Sequence, residues 1–248
     1  MHSFNALVLA AGYGTRLRPL TLSIPKCLVQ INGKPLLELW LNNLEQSGCE
    51  NAYVNTHYLR NDVAQFLKQR KRKRMLVQEI YEDELLGTAG TLMKNQDLLK
   101  GSTCVMLHSD NATDFNVSEL VKAHLARPKH CELTMLTFTT NNPESCGIVE
   151  TDENNIVHRF HEKEKDPPSD RANGAVYVFE TSFIRQLNKS RDKIKDFSTQ
   201  VIPKMLGKIY AWHTSSAFID IGTPERLEKA RKIWGLLYIR QRAIKYWF

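Results

Sequence analysis

An α/β fold, with a mostly parallel central sheet and helices on both faces, is what this sequence predicts, on three grounds. Short apolar runs alternate with segments of helical spacing, as strands joined by crossover helices do. The runs Ala6–Leu9 and Thr103–Leu107 are apolar at successive positions, as in strands buried on both faces. The chain has 248 residues, 42% apolar and 25% charged, which suffices for one large domain.

Taken in order, Ala6–Leu9 is the first strand. Pro35 opens a helix over 35–44, where Leu36, Leu37, Trp40, Leu41 and Leu44 recur at helical spacing, and Gly48 ends it. Asn51–Asn55 reads as a strand, Leu59–Leu67 as a helix and Met75–Ile80 as a third strand. A helix starts near Thr88, followed by a strand over Thr103–Leu107, a helix over Val117–Leu125 and a strand over Glu132–Phe138. Short strands at Cys146–Glu150 and Ile156–Phe160 form a second region. After the loop Asp166–Asp170 come a strand over Ala172–Phe179, a helix over Phe197–Leu206 and a strand over Ile209–Ser215. Thr223 and Pro224 suit the N-cap and first position of a last helix, whose Leu227, Ala230, Ile233, Trp234 and Leu237 make one apolar stripe. The basic, aromatic tail Tyr238–Phe248 can pack on the core, join a dimer or lie on a membrane surface, with core packing the default reading.

The chemistry concentrates where the first strand ends. Ala10, Ala11, Gly12 and Gly14 suit a tight turn whose amide groups point one way and bind phosphate. Arg16 and Arg18 add forked donors, and Lys26 adds a mobile point charge. The spacing fits neither the dinucleotide fingerprint nor a P-loop. Asp110 follows the apolar strand 103–107, at the carboxyl end where open α/β sheets bind ligands, and is the first candidate for a metal ligand. His108, Ser109 and Asp110 do not form a triad, because adjacent side chains on an extended segment alternate in direction. His158 and His161 are three apart on a strand and so fall on opposite faces.

The string Leu9-Ala10-Ala11-Gly12-x-Gly14-Thr15-Arg16-Leu17-Arg18-Pro19-Leu20-Thr21, with Pro25-Lys26, resembles the signature of the sugar-1-phosphate nucleotidylyltransferases. Leu86-Gly87-Thr88-Ala89-Gly90 is similar to the base-recognition segment of that family's mannose-1-phosphate guanylyltransferase branch. Asp220-Ile221-Gly222-Thr223-Pro224 resembles its closing segment. The resemblance runs from Ala6 to about Leu227. It implies a Rossmann-like nucleotidyltransferase fold with a small sugar-binding β subregion. Residues 1–248 would form a single domain, with a nucleotide-binding half 1–130, a sugar-phosphate-binding half 131–225 and a helical tail 226–248. No hexapeptide repeat is present, so the C-terminal β-helix of two-domain family members is expected to be missing.

The resemblance also implies roles. Leu9, Ala11, Gly12, Gly14, Thr15, Arg16, Gly87, Thr88 and Ser109 would bind a nucleoside triphosphate. Gly147, Glu162, Lys163 and Asn173 would bind a sugar 1-phosphate. Arg16, Lys26, Asp110 and Asp220 would be the catalytic set, with Asp110 and Asp220 holding Mg2+. Two positions depart from the family pattern: Glu164 stands where a proline is usual, and Asn173-Gly174-Ala175 where the guanylyl branch has Asn-Ala-Gly. The implied reaction joins a nucleoside monophosphate from GTP to mannose 1-phosphate or a relative, releasing pyrophosphate. Uridylyl or thymidylyl transfer to another sugar 1-phosphate, and a catalytically silent sugar-nucleotide sensor, are the alternatives.

Net charge is +7, part of it in the run Lys68–Arg74. That run has no interleaved aromatic residues and follows an amphipathic helix, so it reads as a solvated helix end and nucleic acid is not an expected partner. No apolar run reaches the roughly 18 residues of a transmembrane segment, and the first residues do not resemble a signal peptide. Five scattered cysteines without a Cys-x-x-Cys pair suit free thiols and a cytoplasmic location. A homo-oligomer is left open.

Overall fold

The computed structural model describes residues 2–71, 74–188 and 194–245, and no side chain of Asn188 or beyond residue 236 in the last helix. The chain opens with β1 (Phe4–Leu9), three 3₁₀ turns (Thr15–Leu17, Leu20–Leu22 and Lys26–Leu28) and a small ribbon of β2 (Gln30–Ile31) and β3 (Lys34–Pro35). There follow α1 (Leu36–Gln46), β4 (Cys49–Thr56), α2 (Arg60–Gln69), β5 (Leu76–Tyr81), α3 (Thr88–Lys94), β6 (Thr103–His108), β7 (Asn111–Thr113) and α4 (Val117–Leu125). The second half adds β8 (Leu133–Thr139), β9 (Gly147–Thr151), β10 (Val157–Glu162), β11 (Arg171–Glu180), α5 (Thr181–Asn188), α6 (Phe197–Gln200), β12 (Ile209–His213), β13 (Phe218–Asp220) and α7 (Pro224–Lys245).

Nine strands form one sheet in the order β10-β9-β11-β6-β1-β4-β5, with β8 pairing to β11 and β12 pairing to β8. The part built from β6, β1, β4 and β5 is parallel throughout. Beyond β6 the pairings turn antiparallel, apart from β12 beside β8. Successive side chains of a strand point to opposite faces, and this splits the core in two. Phe4, Ala6 and Val8 of β1, Val105 and Leu107 of β6, and Val176 and Val178 of β11 face one cluster, closed by α1, α4 and α7. Leu7, Cys104, Met106, Tyr177 and Phe179 face the other, closed by α3, α5 and α6. The expected α/β fold with helices on both faces is present.

Three expectations change. The helix expected over 197–206 is broken into α6 and a 3₁₀ turn over Ile202–Met205, because Pro203 has no amide hydrogen to continue an α-helical ladder. The helix α5 was not anticipated, although Phe183, Ile184 and Leu187 have helical spacing and are buried; it follows β11 with no intervening loop to mark it. The basic run is not wholly solvated: the Arg70 side chain is 6% exposed and pairs with Glu38 at 3.3 Å and Glu45 at 3.2 Å on α1. Residues 72 and 73 of that run, and the tail Tyr246–Phe248, lie outside the described residues, as do the side chains of Leu237 and of the rest of the tail. Thr223 does cap α7: its hydroxyl accepts the Arg226 amide at 3.4 Å. Among the described residues no helix is long and apolar enough to cross a membrane.

Candidate active site

The parallel strands β1, β4, β5 and β6 end on one edge, and their carboxyl ends bring together Leu9–Gly12, Asn55, Glu82 and His108–Asp110. A cavity of about 230 Å³ opens there, bounded on its other side by Leu85, Gly87, Thr88 and Thr91. The amides of Ala11, Gly12 and Tyr13 make no hydrogen bond to the described residues, so they stay available to an anion. The loop is held from below. The Asn55 side chain accepts the Ala10 amide at 2.6 Å, and Ser109 donates to the Leu9 carbonyl from its amide at 3.0 Å and its hydroxyl at 2.8 Å.

Gly87 has φ of +78°, and a Cβ there would stand 2.5 Å from the Lys195 carbonyl oxygen, so both conformation and space require glycine. That same carbonyl accepts the Ala89 amide at 2.9 Å and the Gly90 amide at 3.3 Å. The first turn of α3 is therefore capped by a distant loop and not by Thr88, whose hydroxyl accepts the Phe197 amide at 2.7 Å. Glu82 is 1% exposed and sits beneath this wall, accepting from Thr91 at 2.5 Å and Asn55 at 3.1 Å through one oxygen and from the Leu86 amide at 3.4 Å through the other.

At the end of this cavity Lys26 lies between two carboxylates. Its ammonium is 2.6 Å from Asp110 and 3.3 Å from Asp220. The register explains the meeting: β13 pairs antiparallel with β7, and Asp220 falls opposite Asn111. Lys26 is not the mobile charge expected from its place after a loop; its side chain is 12% exposed and fixed at both acids. Burial alone would lower its pKa, but Asp110 and Asp220 outweigh it and hold the ammonium above the ordinary lysine value. Burial likewise opposes the Asp110 charge, and Lys26 and His108 outweigh it and lower that carboxyl's pKa. Asp220 also faces Arg16 at 3.6 Å and Arg226 at 3.5 Å.

A second, larger cavity of about 480 Å³ begins at the same Asp110 and His108. Gly147, Glu162, Lys163 and Asn173 all line it, with Arg16, Asp220, Arg226 and Lys229. Glu162 and Lys163 pair at 3.3 Å. The Asn173 side chain is already engaged, donating to the Tyr177 hydroxyl at 2.7 Å and accepting the Ala175 amide at 2.9 Å. Glu164, in place of the usual proline, contacts His161 at 2.9 Å, and His161 reaches Glu150 at 2.8 Å.

The inverted order Asn173-Gly174-Ala175 has a visible cost. Ala175 takes φ of +52°, the left-handed region, inside the register shift where β11 leaves β8. Gly174 is the position without room, with Leu136 Cδ2 2.2 Å from where a Cβ would be. Replacing Ala175 by glycine should therefore raise stability by about 0.5–1 kcal/mol, the relief of left-handed strain exceeding the entropy that glycine adds to the unfolded chain. Urea unfolding of the two proteins reads this, and a glycine variant of lower stability would mean that the alanine methyl packs favourably there.

These features fit a known lineage. The model of the family described as Nucleotidyl transferase matches residues 5–234. The chain belongs to that family. Among its relatives, a mannose-1-phosphate guanylyltransferase of Mycobacterium tuberculosis is 31% identical, covering 90% of this chain and 62% of its own. The catalytic subunit beta of the Drosophila melanogaster enzyme of that name is 34% identical, covering 89% and 60%. The chain thus spans about three fifths of the length of these relatives. In fold it is similar to HddC from Yersinia pseudotuberculosis, with a TM-score of 0.79 at 24% identity, covering 93% of this chain and 99% of HddC. The same protein has been solved with GMP-PN, with a TM-score of 0.78.

In this member of the family most of the residues expected at the site sort into two cavities. Leu9, Ala11, Gly12, Lys26, Gly87, Thr88, Ser109 and Asp110 line the first. Gly14 and Thr15 line neither: the Gly14 carbonyl accepts from the Leu17 amide at 2.9 Å and the Thr21 hydroxyl at 2.8 Å, and the two residues shape the turn that presents Arg16. Ala89, expected at the base edge, is fully buried and faces the core. Asn55, Glu82, His108 and Arg226 were missed. The first three stand at carboxyl ends of parallel strands, the same signal that picked out Asp110. Arg226 had no local signal beyond lying six residues after Asp220.

Proposed function

We propose that the chain transfers a nucleoside monophosphate from a nucleoside triphosphate to a sugar 1-phosphate, with GTP and mannose 1-phosphate or a close relative as the pair. The observation that carries this reading is the junction of the two cavities at His108 and Asp110, beside Lys26. One cavity suits a base and its phosphates, the other a polar acceptor, and the reacting groups meet between them. An oxygen of the acceptor phosphate attacks the α-phosphorus. The new P–O bond forms as the bond to the bridging oxygen of pyrophosphate breaks, and pyrophosphate leaves with that electron pair. Most of the catalysis is positioning and stabilisation of phosphate charge. Lys26 and Arg16 supply fixed positive charge where it accumulates, and the free amides of Ala11 to Tyr13 take phosphate oxygens.

Asp110 and Asp220 suit Mg2+. They present two carboxylates converging on one point, and among the described residues no group of three or more metal-ligating side chains forms a cage. A hard cation that keeps water and phosphate oxygens in its shell needs no more than this. Bound there, it would neutralise phosphate charge and lower the barrier to attack.

Guanine carries donors at N1 and N2 and an acceptor at O6, and Gly87 and Thr88 line the first cavity, where their backbone groups can meet such an edge. The likeness of 86–90 to guanylyl relatives supports the same base. With Mg2+ and mannose 1-phosphate, kcat/KM for GTP should exceed that for UTP, dTTP and CTP by about tenfold or more, since a mismatched base leaves buried polar groups unpaired. Pyrophosphate release over a panel of triphosphates and sugar 1-phosphates measures it. A higher value for another triphosphate refutes the guanylyl reading and leaves nucleotidyl transfer standing; no turnover with any pair favours the sensor.

A further inference from the structure

We infer that Arg226, on the first turn of α7, is a second residue, with Lys163, that takes the phosphate monoester of the acceptor, a deepening that rests on the nucleotidyl-transfer reading. Its guanidinium, on the lining of the second cavity, joins two other residues of that lining. One end lies 3.5 Å from Asp220, and the other donates to the Ser145 hydroxyl at 2.6 Å, 81 residues away in sequence. The Ser145 end is next to the proposed sugar-side groups, because the Cys146 carbonyl accepts the Lys163 amide at 3.1 Å. The Asp220 end is at the proposed metal ligands. An acceptor whose sugar lies by Glu162, with Lys163 at its phosphate, and whose phosphate oxygen must reach the α-phosphorus near Asp110 and Asp220, places that phosphate along this span.

The charge arrangement leaves Arg226 free to take it. Asp220 is shared by three cations, with Lys26 at 3.3 Å on one oxygen and Arg16 at 3.6 Å and Arg226 at 3.5 Å on the other. A guanidinium has five N–H donors, and this one spends them on one shared, distant carboxylate oxygen and a hydroxyl. A phosphate would offer it two oxygens at once. The side chain is 23% exposed, open to the cavity yet withdrawn enough from water for such a contact to hold. Lys229, one helical turn along the same wall, lines the cavity too.

Arg226→Gln and Arg226→Lys test this, with GTP saturating and mannose 1-phosphate varied, then the reverse. The glutamine variant should raise the acceptor KM roughly tenfold or more, the worth of a charge-assisted contact, and leave the GTP KM within about twofold; the lysine variant should recover part of the loss. An unchanged acceptor KM overturns the proposal. So does an equal rise in both KM values, which would mean that Arg226 acts by holding Asp220. Calorimetric titration with mannose 1-phosphate reads the subsite without turnover. Wild-type binding that is lost in Arg226→Gln upholds the subsite even if no catalysis is found, in which case the transfer reading alone fails. Equal affinity in the two proteins, or no binding to either, overturns it.

Discussion

Asp110→Asn should lose at least about a hundredfold in turnover while remaining folded. The change keeps shape and removes one negative charge. An amide oxygen is a weaker ligand for a hard cation, and loss of a charge that acts at the reacting phosphates commonly costs ~3 kcal/mol of barrier. The structure adds a stability effect that the sequence did not suggest, because Asp110 is the nearer partner of Lys26, at 2.6 Å. Both groups keep some contact with water, so the loss should be about 1 kcal/mol and not more. It also has a pH signature. The Asp110 carboxyl has a lowered pKa in the folded protein, so its contribution is present above the ordinary carboxylate value of 3.8 and is lost as pH falls through the lower folded value. The asparagine variant lacks that acid-linked part. Turnover across a Mg2+ titration, with urea unfolding at neutral and acid pH, checks both effects. Near-normal turnover at limiting Mg2+ would remove Asp110 from the metal site.

Asp110 could be read from the sequence because a carboxylate directly after an apolar strand has a meaning that needs no partner. Asn55 and Glu82 also stand at the carboxyl ends of strands, but Asn55 lies within the half-polar end of β4 and Glu82 precedes another acid, so neither stood out. Asp220 is 110 positions from Asp110, and no spacing rule relates them. Family resemblance proposed their meeting, and the pairing of β13 with β7 is its physical cause. The parallel half of the sheet was legible from apolar runs. The antiparallel half was legible only as short strands: β9 pairs with its neighbour β10, but β11 pairs with β6 and β8, which lie several elements earlier in the chain. Arg226 lay beyond any local pattern. Its importance arises from a side chain that joins Asp220 to Ser145 on the lining of a cavity, and nothing in the helical periodicity of α7 records those partners.

Lys26→Met should show the second large effect, and it separates two roles of one side chain. Turnover should fall by about a hundredfold or more, because a positive charge beside the phosphates is lost. Stability should fall as well, which the position after Pro25 did not suggest. Without the ammonium, Asp110 and Asp220 face each other across the space it held. A fully buried pair broken this way costs ~3–5 kcal/mol; with the two carboxylates 32% and 31% exposed, about 1–2 kcal/mol is expected. The same repulsion makes the variant a sensitive probe for the cation. In the wild type Mg2+ must compete with Lys26 for the two acids; in the methionine variant that competitor is gone, and only the more distant Arg16 and Arg226 still face Asp220 among the cations described there. Ligand binding raises stability according to concentration over Kd. Millimolar Mg2+ should therefore raise the Tm of Lys26→Met by more than it raises that of the wild type, and the gain should vanish when Asp220 is also changed to asparagine. If Mg2+ leaves the variant's Tm where it was, the two carboxylates serve Lys26 alone, and the charge that activates the phosphates comes from Lys26 and the arginines without a metal held at this point.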